Sequence, residues 1–253
     1  MFFMPNRSTL RLNMLSRPQH VFHAEPLNTS AKHALEARQR APFDYPQPGR
    51  HVTLLRVEQL KIPGLPSLTF EVGDGTCLAI EGPSGIGKTR LLRAIADLDD
   101  VPGQCFLDGA ERREMPAWQW RKQVRFAAAE PGWWGETARH SMRETAGDEA
   151  RIEKMVIDLG LDPGILDRQI TQLSTGERLR LALVRALADQ PRVLLLDEPT
   201  GALDKASVAL AEELIRYQIL AGRTVVLVSH DRGQIDRLAD LRLQLADPAG
   251  APS

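Results

Sequence analysis

Gly82-Pro83-Ser84-Gly85-Ile86-Gly87-Lys88-Thr89 matches the pattern GxxxxGK[ST] in full. Glycines at that spacing let the backbone curl its N–H groups around the phosphates of a nucleoside triphosphate. The N-terminus of a following helix adds partial positive charge at the same place. Lys88 brings a point charge to the β- and γ-phosphates, and the hydroxyl of Thr89 is a ligand for Mg²⁺. Arg90, directly after the loop, extends the nucleotide-binding set. Much further along the chain, Asp197 and Glu198 stand side by side. Asp197 suits the Mg²⁺ shell, and Glu198 is placed to polarise an attacking water. Phosphoryl transfer depends mainly on positioning and charge neutralisation, so one lysine, one metal and one base form a sufficient minimum. Alone, an Asp-Glu pair is as readily a helix N-cap as a reactive centre; behind a phosphate loop the reactive reading prevails.

These residues need particular elements beneath them. Cys77-Leu78-Ala79-Ile80 is a short apolar run set off by the Gly73-Asp74-Gly75 turn, fit for a buried strand leading into the loop. After the loop, Leu91, Ile95 and Leu98 recur at helical spacing, so strand, loop and helix come in the order that the motif requires. Val193-Leu194-Leu195-Leu196 is a near-continuous apolar strand ending at Asp197, as expected of a parallel strand covered on both faces. Thr224-Val225-Val226-Leu227-Val228 is a second, ending at Ser229-His230-Asp231. Parallel sheets bind ligands at the carboxyl ends of their strands, which moves His230 from a surface histidine to a site candidate.

Composition narrows the classes. With 43% hydrophobic and 26% charged residues the chain reads as globular, and a net charge of −1 gives no polybasic surface for nucleic acid. Cys77 and Cys105 are too few for a disulfide framework or a zinc site, and they fit a reduced compartment as small buried hydrophobes. No apolar run approaches the ~20 residues that span a bilayer, so a membrane role has to come through a partner. Residues 1–50 differ in character, with seven basic against three acidic residues and many prolines. They are expected to form a disordered extension, with one short helix over Lys32 to Arg40. Met1-Phe2-Phe3-Met4 is too short for a signal-peptide core, and Pro5 breaks it.

Leu173-Ser174-Thr175-Gly176-Glu177 precedes Asp197 by about twenty residues and opens a helix with Leu179, Leu183, Ala186 and Leu187 on its apolar face. It is a helix N-cap in any reading, with Ser174 or Thr175 capping. It also resembles the LSGGQ signature of ATP-binding cassette (ABC) ATPases. The other elements stand in the order of that family: Walker A at Gly82 to Thr89, the signature, Walker B at Val193 to Asp197, then Glu198, a D-loop-like Gly201-Ala202-Leu203-Asp204, and His230 like the switch histidine. The resemblance covers about Val52 to Leu245. It implies an α/β fold: a P-loop core with a parallel sheet, an antiparallel β subdomain from Val52 to Val72 plus Gln104–Leu107, and a small helical signature subdomain over about 130–188. The cassette would then occupy 51–246, with 247–253 a flexible tail. The resemblance further implies a homodimer with ATP and Mg²⁺ held between one chain's P-loop and the other's signature. Ser174 and Gly176 would reach the γ-phosphate across that interface, while Lys88, Glu198 and His230 form the catalytic set and Thr89 and Asp197 hold the metal.

Three positions depart from the family. Thr175 stands where the signature usually has glycine. Ala129 aligns with the Q-loop glutamine, which follows the strand Val124-Arg125-Phe126-Ala127 and helps bind Mg²⁺ and water. Ile62 aligns with the aromatic that stacks on adenine, and an aliphatic contact forgoes about 1 kcal/mol of stacking. The first functional expectation is the ATPase subunit of a transporter with a separate membrane permease, acting at the cytoplasmic face of the cell membrane. Trp133 and Trp134 would lie in the groove that accepts the permease. The stretch Gly135 to Thr137 resembles cassettes linked to metal-ion efflux. The alternatives are a non-transport cassette, for which the chain has neither room for a long coiled coil nor a second P-loop, and a nucleotide-gated regulatory dimer that hydrolyses little.

Overall fold

The computed structural model describes residues 53–142 and 148–246, and the backbone of two short stretches, 7–10 and 25–27. The helix expected over 32–40 and the tail at 247–253 lie outside the described residues. Seven strands form the main sheet: β1 (Arg7–Leu10), β2 (Glu25–Leu27), β5 (Cys77–Glu81), β8 (Val124–Ala127), β9 (Val193–Asp197), β10 (Thr224–Val228) and β11 (Leu241–Gln244). Their order is β2-β1-β11-β5-β10-β9-β8. Every pair is parallel except β1 with β2. The second sheet is antiparallel, in the order β4-β3-β6-β7, from β3 (Thr53–Leu60), β4 (Leu68–Gly73), β6 (Gln104–Leu107) and β7 (Ala110–Glu111).

The near-continuous apolar runs divide by strand alternation between two cores. Cys77, Ala79, Leu194, Leu196, Val225 and Leu227 face one core, with helices α4 (Glu149–Asp158), α5 (Thr175–Ala188), α6 (Lys205–Leu220) and α7 (Arg232–Leu238). Leu78, Ile80, Val193, Leu195, Val226 and Val228 face the other, with α1 (Lys88–Ile95) and the inner face of the antiparallel sheet. Helix α2 (Ala117–Gln123) adds Trp120 to that second core. The helical subdomain is built from α3 (Ala138–Met142), α4 and α5. Asp148 caps α4 by accepting the Ala150 N–H at 3.0 Å, and Ile152, Met155 and Val156 turn its apolar stripe inward.

Two expected helix faces change. In α1, Leu91 and Ile95 are buried but Leu98 is 42% exposed. The helix ends at Ile95, Asp97 takes a left-handed φ of 59°, and Leu98 N–H closes back on the Arg93 carbonyl at 2.9 Å, which lifts Leu98 off the stripe. In α5 the burial extends beyond Leu179, Leu183, Ala186 and Leu187 to Leu181, Ala182, Val184 and Ala188, because this helix packs against both the sheet and the helical subdomain.

Candidate functional site

The strand order decides where the reactive residues meet. β10 lies between β5 and β9, and the register places Val228 level with Ile80 on one side and Asp197 on the other. The loops that carry the phosphate cradle, His230 and the acidic pair therefore leave the sheet side by side at its carboxyl edge.

The cradle begins at Gly82, where an added Cβ would come within 2.9 Å of the Leu245 carbonyl oxygen, so the chain passes too close to β11 for a side chain. It ends at Gly87, whose left-handed φ of 111° turns the chain into α1. Lys88, the first helical residue, is buried, and its ammonium donates to the carbonyls of Gly82 at 2.7 Å and Pro83 at 3.0 Å. Two of its three donors thus span the mouth of the loop, fixing a positive charge over the backbone N–H groups. Thr89 Oγ1 donates to Asp197 Oδ2 at 2.7 Å, joining the end of the cradle to the end of β9. Two hard oxygen donors in contact form the kind of partial cage that Mg²⁺ completes with phosphate oxygens and water. Among the described residues no group of three His, Cys, Asp or Glu side chains is placed to hold a metal unaided.

Glu198 follows with a left-handed φ of 47°, its N–H tied to the Val228 carbonyl at 2.9 Å. That unusual backbone turns its carboxylate toward His230. The His230 N–H donates to Glu198 Oε2 at 3.3 Å, and His230 Nε2 lies 3.4 Å from Oε1. The second contact lacks hydrogen-bond alignment, and Oε1 is left buried with no protein donor. Burial pushes the Glu198 carboxyl above its ordinary range and the Asp197 carboxylate adds to the effect, while the His230 N–H, the His230 ring and Lys88 oppose it.

Ser174 caps α5 reciprocally: its Oγ accepts the Glu177 N–H at 3.2 Å, and Glu177 Oε2 accepts the Ser174 N–H at 2.7 Å. Those bonds hold the Glu177 carboxyl below its usual range. The Thr175 hydroxyl accepts from Arg178 Nη2 at 3.3 Å, so its side chain lies along its own helix. Gly176 lies beside Leu203 and Ala202 of the loop that follows Glu198. The chain thus brings Lys88, Thr89, Asp197, Glu198 and His230 together, while Ser174 and Gly176 gather at the end of α5.

One expectation about recognition changes, and another gains a structural setting. Ile62 is only 2% exposed and packs beneath the loop, in the position where a Cβ on Gly87 would lie 3.5 Å from its Cγ2. It has no open face for a base, so the departure removes the contact rather than weakening it. Trp133 and Trp134 prove to be two walls around one cation: Arg185 Cζ lies 4.3 Å from the first ring centre and 4.6 Å from the second. Arg185 also donates to the Gly132 carbonyl at 2.8 Å, and burial, with Arg125 nearby, lowers its pKa to about 10. Trp134 stays 62% exposed. Arg185 carries no local sequence signal of this role: it is one arginine within the apolar helix α5, and its partners lie in another segment.

Sequence reading also missed what steadies α1 at its far end. Arg112 Nη1, Trp120 Nε1 and Arg121 Nη1 donate to the carbonyls of Ala94 at 2.5 Å, Ile95 at 2.9 Å and Asp97 at 3.1 Å. The helix that carries Lys88 is therefore satisfied at its C-terminus by side chains from a separate segment.

Comparison with known proteins agrees with this geometry. Residues 65–201 match the ABC transporter family. Protein STAR1 of Oryza sativa subsp. japonica is 36% identical over 185 residues, covering 70% of this chain and 54% of the relative. The sulfate/thiosulfate import ATP-binding protein CysA of Caulobacter vibrioides is 39% identical over 194 residues, covering 71% of this chain and 57% of the relative. The chain spans little more than half the length of these relatives. A solved ATP-binding subunit of an ABC transporter shares the fold, with a TM-score of 0.70 at 23% identity over 77% of this chain and 87% of that one.

Proposed function

The chain belongs to the ABC transporter family, and from that premise we propose that it binds and hydrolyses ATP as the nucleotide-binding subunit of a transporter. One observation carries the reading: a buried lysine, a Thr89–Asp197 pair and a Glu198–His230 pair emerge from three adjacent parallel strands. In this proposal the backbone of Gly82, Pro83, Ser84, Gly85, Ile86 and Gly87 wraps the phosphates, with Lys88 and Arg90 supplying positive charge. Thr89 and Asp197 hold Mg²⁺, for which two contacting oxygen donors fit; the ion supplies charge neutralisation on the phosphates. Glu198 orients and polarises the water, and His230 fixes the carboxylate.

Within the proposed head-to-tail homodimer, Ser174 of the partner subunit and Gly176 of the partner subunit close the nucleotide from the opposite side. The N-terminus of a fourteen-residue helix suits an anion there. A separate permease would dock near the exposed Trp134, holding the subunit at the inner face of the membrane. No helix among the described residues is long and apolar enough to cross a membrane. The likeness of Gly135 to Thr137 to metal-efflux cassettes finds no support in the relatives, of which CysA is named for sulfate and thiosulfate import. A regulatory dimer with little hydrolysis is the second reading, favoured by the buried Ile62 and by Ala129.

Removing the Lys88 ammonium tests the first step. Lys88→Ala is expected to abolish ATP binding in calorimetry while the circular dichroism spectrum is retained. Undiminished affinity in that variant overturns the assignment of the cradle. Steady-state phosphate release by the full chain then separates a working ATPase from the regulatory reading.

A further inference from the structure

Gln234 is fully buried in the first turn of α7, four residues after His230, and none of the steps above uses it. Its backbone N–H donates to the Asp231 carboxylate at 3.2 Å, which seats the first turn of α7 directly behind the histidine. Its side-chain Nε2 reaches away from its own helix and donates to Thr200 Oγ1 at 2.9 Å. Thr200 is the second residue after Glu198 and is itself buried. One amide therefore joins the helix that follows His230 to the loop that bears Glu198, separately from the contact between those two residues.

The same Nε2 lies 3.4 Å from Glu212 Oε1. Glu212, buried on α6, is gripped by Arg237 of α7 through Nε to Oε2 and Nη2 to Oε1, both at 2.6 Å. The ion pair fixes α6 against α7, and Gln234 extends that fixed frame to Thr200. The carbonyl oxygen Oε1 of Gln234 is buried without a protein partner. An amide satisfied at one end only is a poor choice for stability in an apolar position. Its orientation is chemically decided, because the opposite orientation would turn Oε1 toward the Glu212 carboxylate.

We propose that Gln234 is a positioning residue: through Thr200 it sets the spacing of Glu198 and His230, and thereby the orientation of the carboxylate that acts on water. The inference rests on the hydrolytic reading given above for what the spacing accomplishes, though not for its existence. Glu198 needs such a second anchor because its left-handed backbone is held on the strand side by one hydrogen bond to Val228. Neither Gln234 nor Thr200 touches the phosphate cradle through a hydrogen bond to Gly82, Pro83, Lys88 or Thr89, so nucleotide binding is separable from the step they govern.

The test uses the full-length chain and two readouts. Gln234→Leu and Thr200→Val, both close in volume to the native side chains, are each expected to lower kcat roughly tenfold with the KM for ATP unchanged, as small displacements of a reacting group do. The double variant is expected to lose no more than either single one, because both break the same link. Thr200→Ser, which keeps the hydroxyl, restores the rate. Independently of turnover, the His230 ring resonances followed by NMR at fixed pH should be displaced equally in Gln234→Leu and Thr200→Val, and stay native in Thr200→Ser. Additive losses, a shared rise in KM, or unmoved His230 ring resonances in the two breaking variants would overturn the proposal. If the wild-type chain releases no phosphate, the hydrolytic reading fails by itself, and the His230 ring resonances still decide whether Gln234 sets the pair.

Discussion

Glu198 concentrates three constraints in one residue: a left-handed backbone, a carboxylate tethered by His230, and burial that favours its proton. A carboxyl whose pKa is raised by folding stabilises the fold most when it is protonated. That contribution is lost as pH rises from the unfolded value of about 4.3 through the higher folded one. Glu198→Gln is therefore expected to raise the thermal midpoint at pH 7, with the gain shrinking as the pH approaches the unfolded value. In the proposed mechanism hydrolysis needs the carboxylate, so it should fall on its acid limb with a midpoint above the ordinary Glu range. Melts across pH and a kcat profile check both signs. The placement of Lys88 and Thr89 could be read from the chain because strand, loop and helix follow one another there, and that of Asp197 because the apolar run of β9 ends on it. The orientation of Glu198 could not, since it depends on Val228 and His230, some thirty residues away. The burial of Ile62 beneath Gly87 was hidden for the same reason: exposure is a property of the packed sheet rather than of the segment.

At the scale of elements, α1 is held at both ends by groups from elsewhere. Its first turn is tied to the end of β9 through Thr89 and Asp197, and the carbonyls at its far end are met by Arg112, Trp120 and Arg121. Trp120→Phe keeps an aromatic ring in the core but gives up part of the indole's volume and leaves the Ile95 carbonyl without its indole donor. The expected cost is about 1–3 kcal/mol in chemical denaturation, with ATP affinity falling less than stability. A loss below about 0.5 kcal/mol would mean that the indole bond is dispensable. Strands β5, β9 and β10 were legible because covering both faces of a parallel sheet demands unbroken apolar runs, and their ends mark the site. Leu98 misled because helical spacing continued past Ile95, where α1 ends and Asp97 turns the chain away. The Arg185 stack between Trp133 and Trp134 joins segments some fifty residues apart, which no local period reports.

For the whole molecule, the sheet gathers the phosphate cradle, the acidic pair and His230 at one edge, whereas Ser174 and Gly176 cluster at the end of α5. The two groups carry complementary chemistry for one nucleotide, and a second copy of the chain brings them together in the proposed arrangement. The capping box supports that arrangement by fixing the helix end whether or not a nucleotide is bound. Dimer formation should then depend on nucleotide and be strongest when hydrolysis is blocked. Light scattering on full-length Glu198→Gln, with and without ATP and Mg²⁺, measures this most directly. The account predicts the 28.1 kDa monomer without nucleotide and twice that mass with it, reverting when ATP is removed. A species that binds ATP yet remains at 28.1 kDa would contradict it.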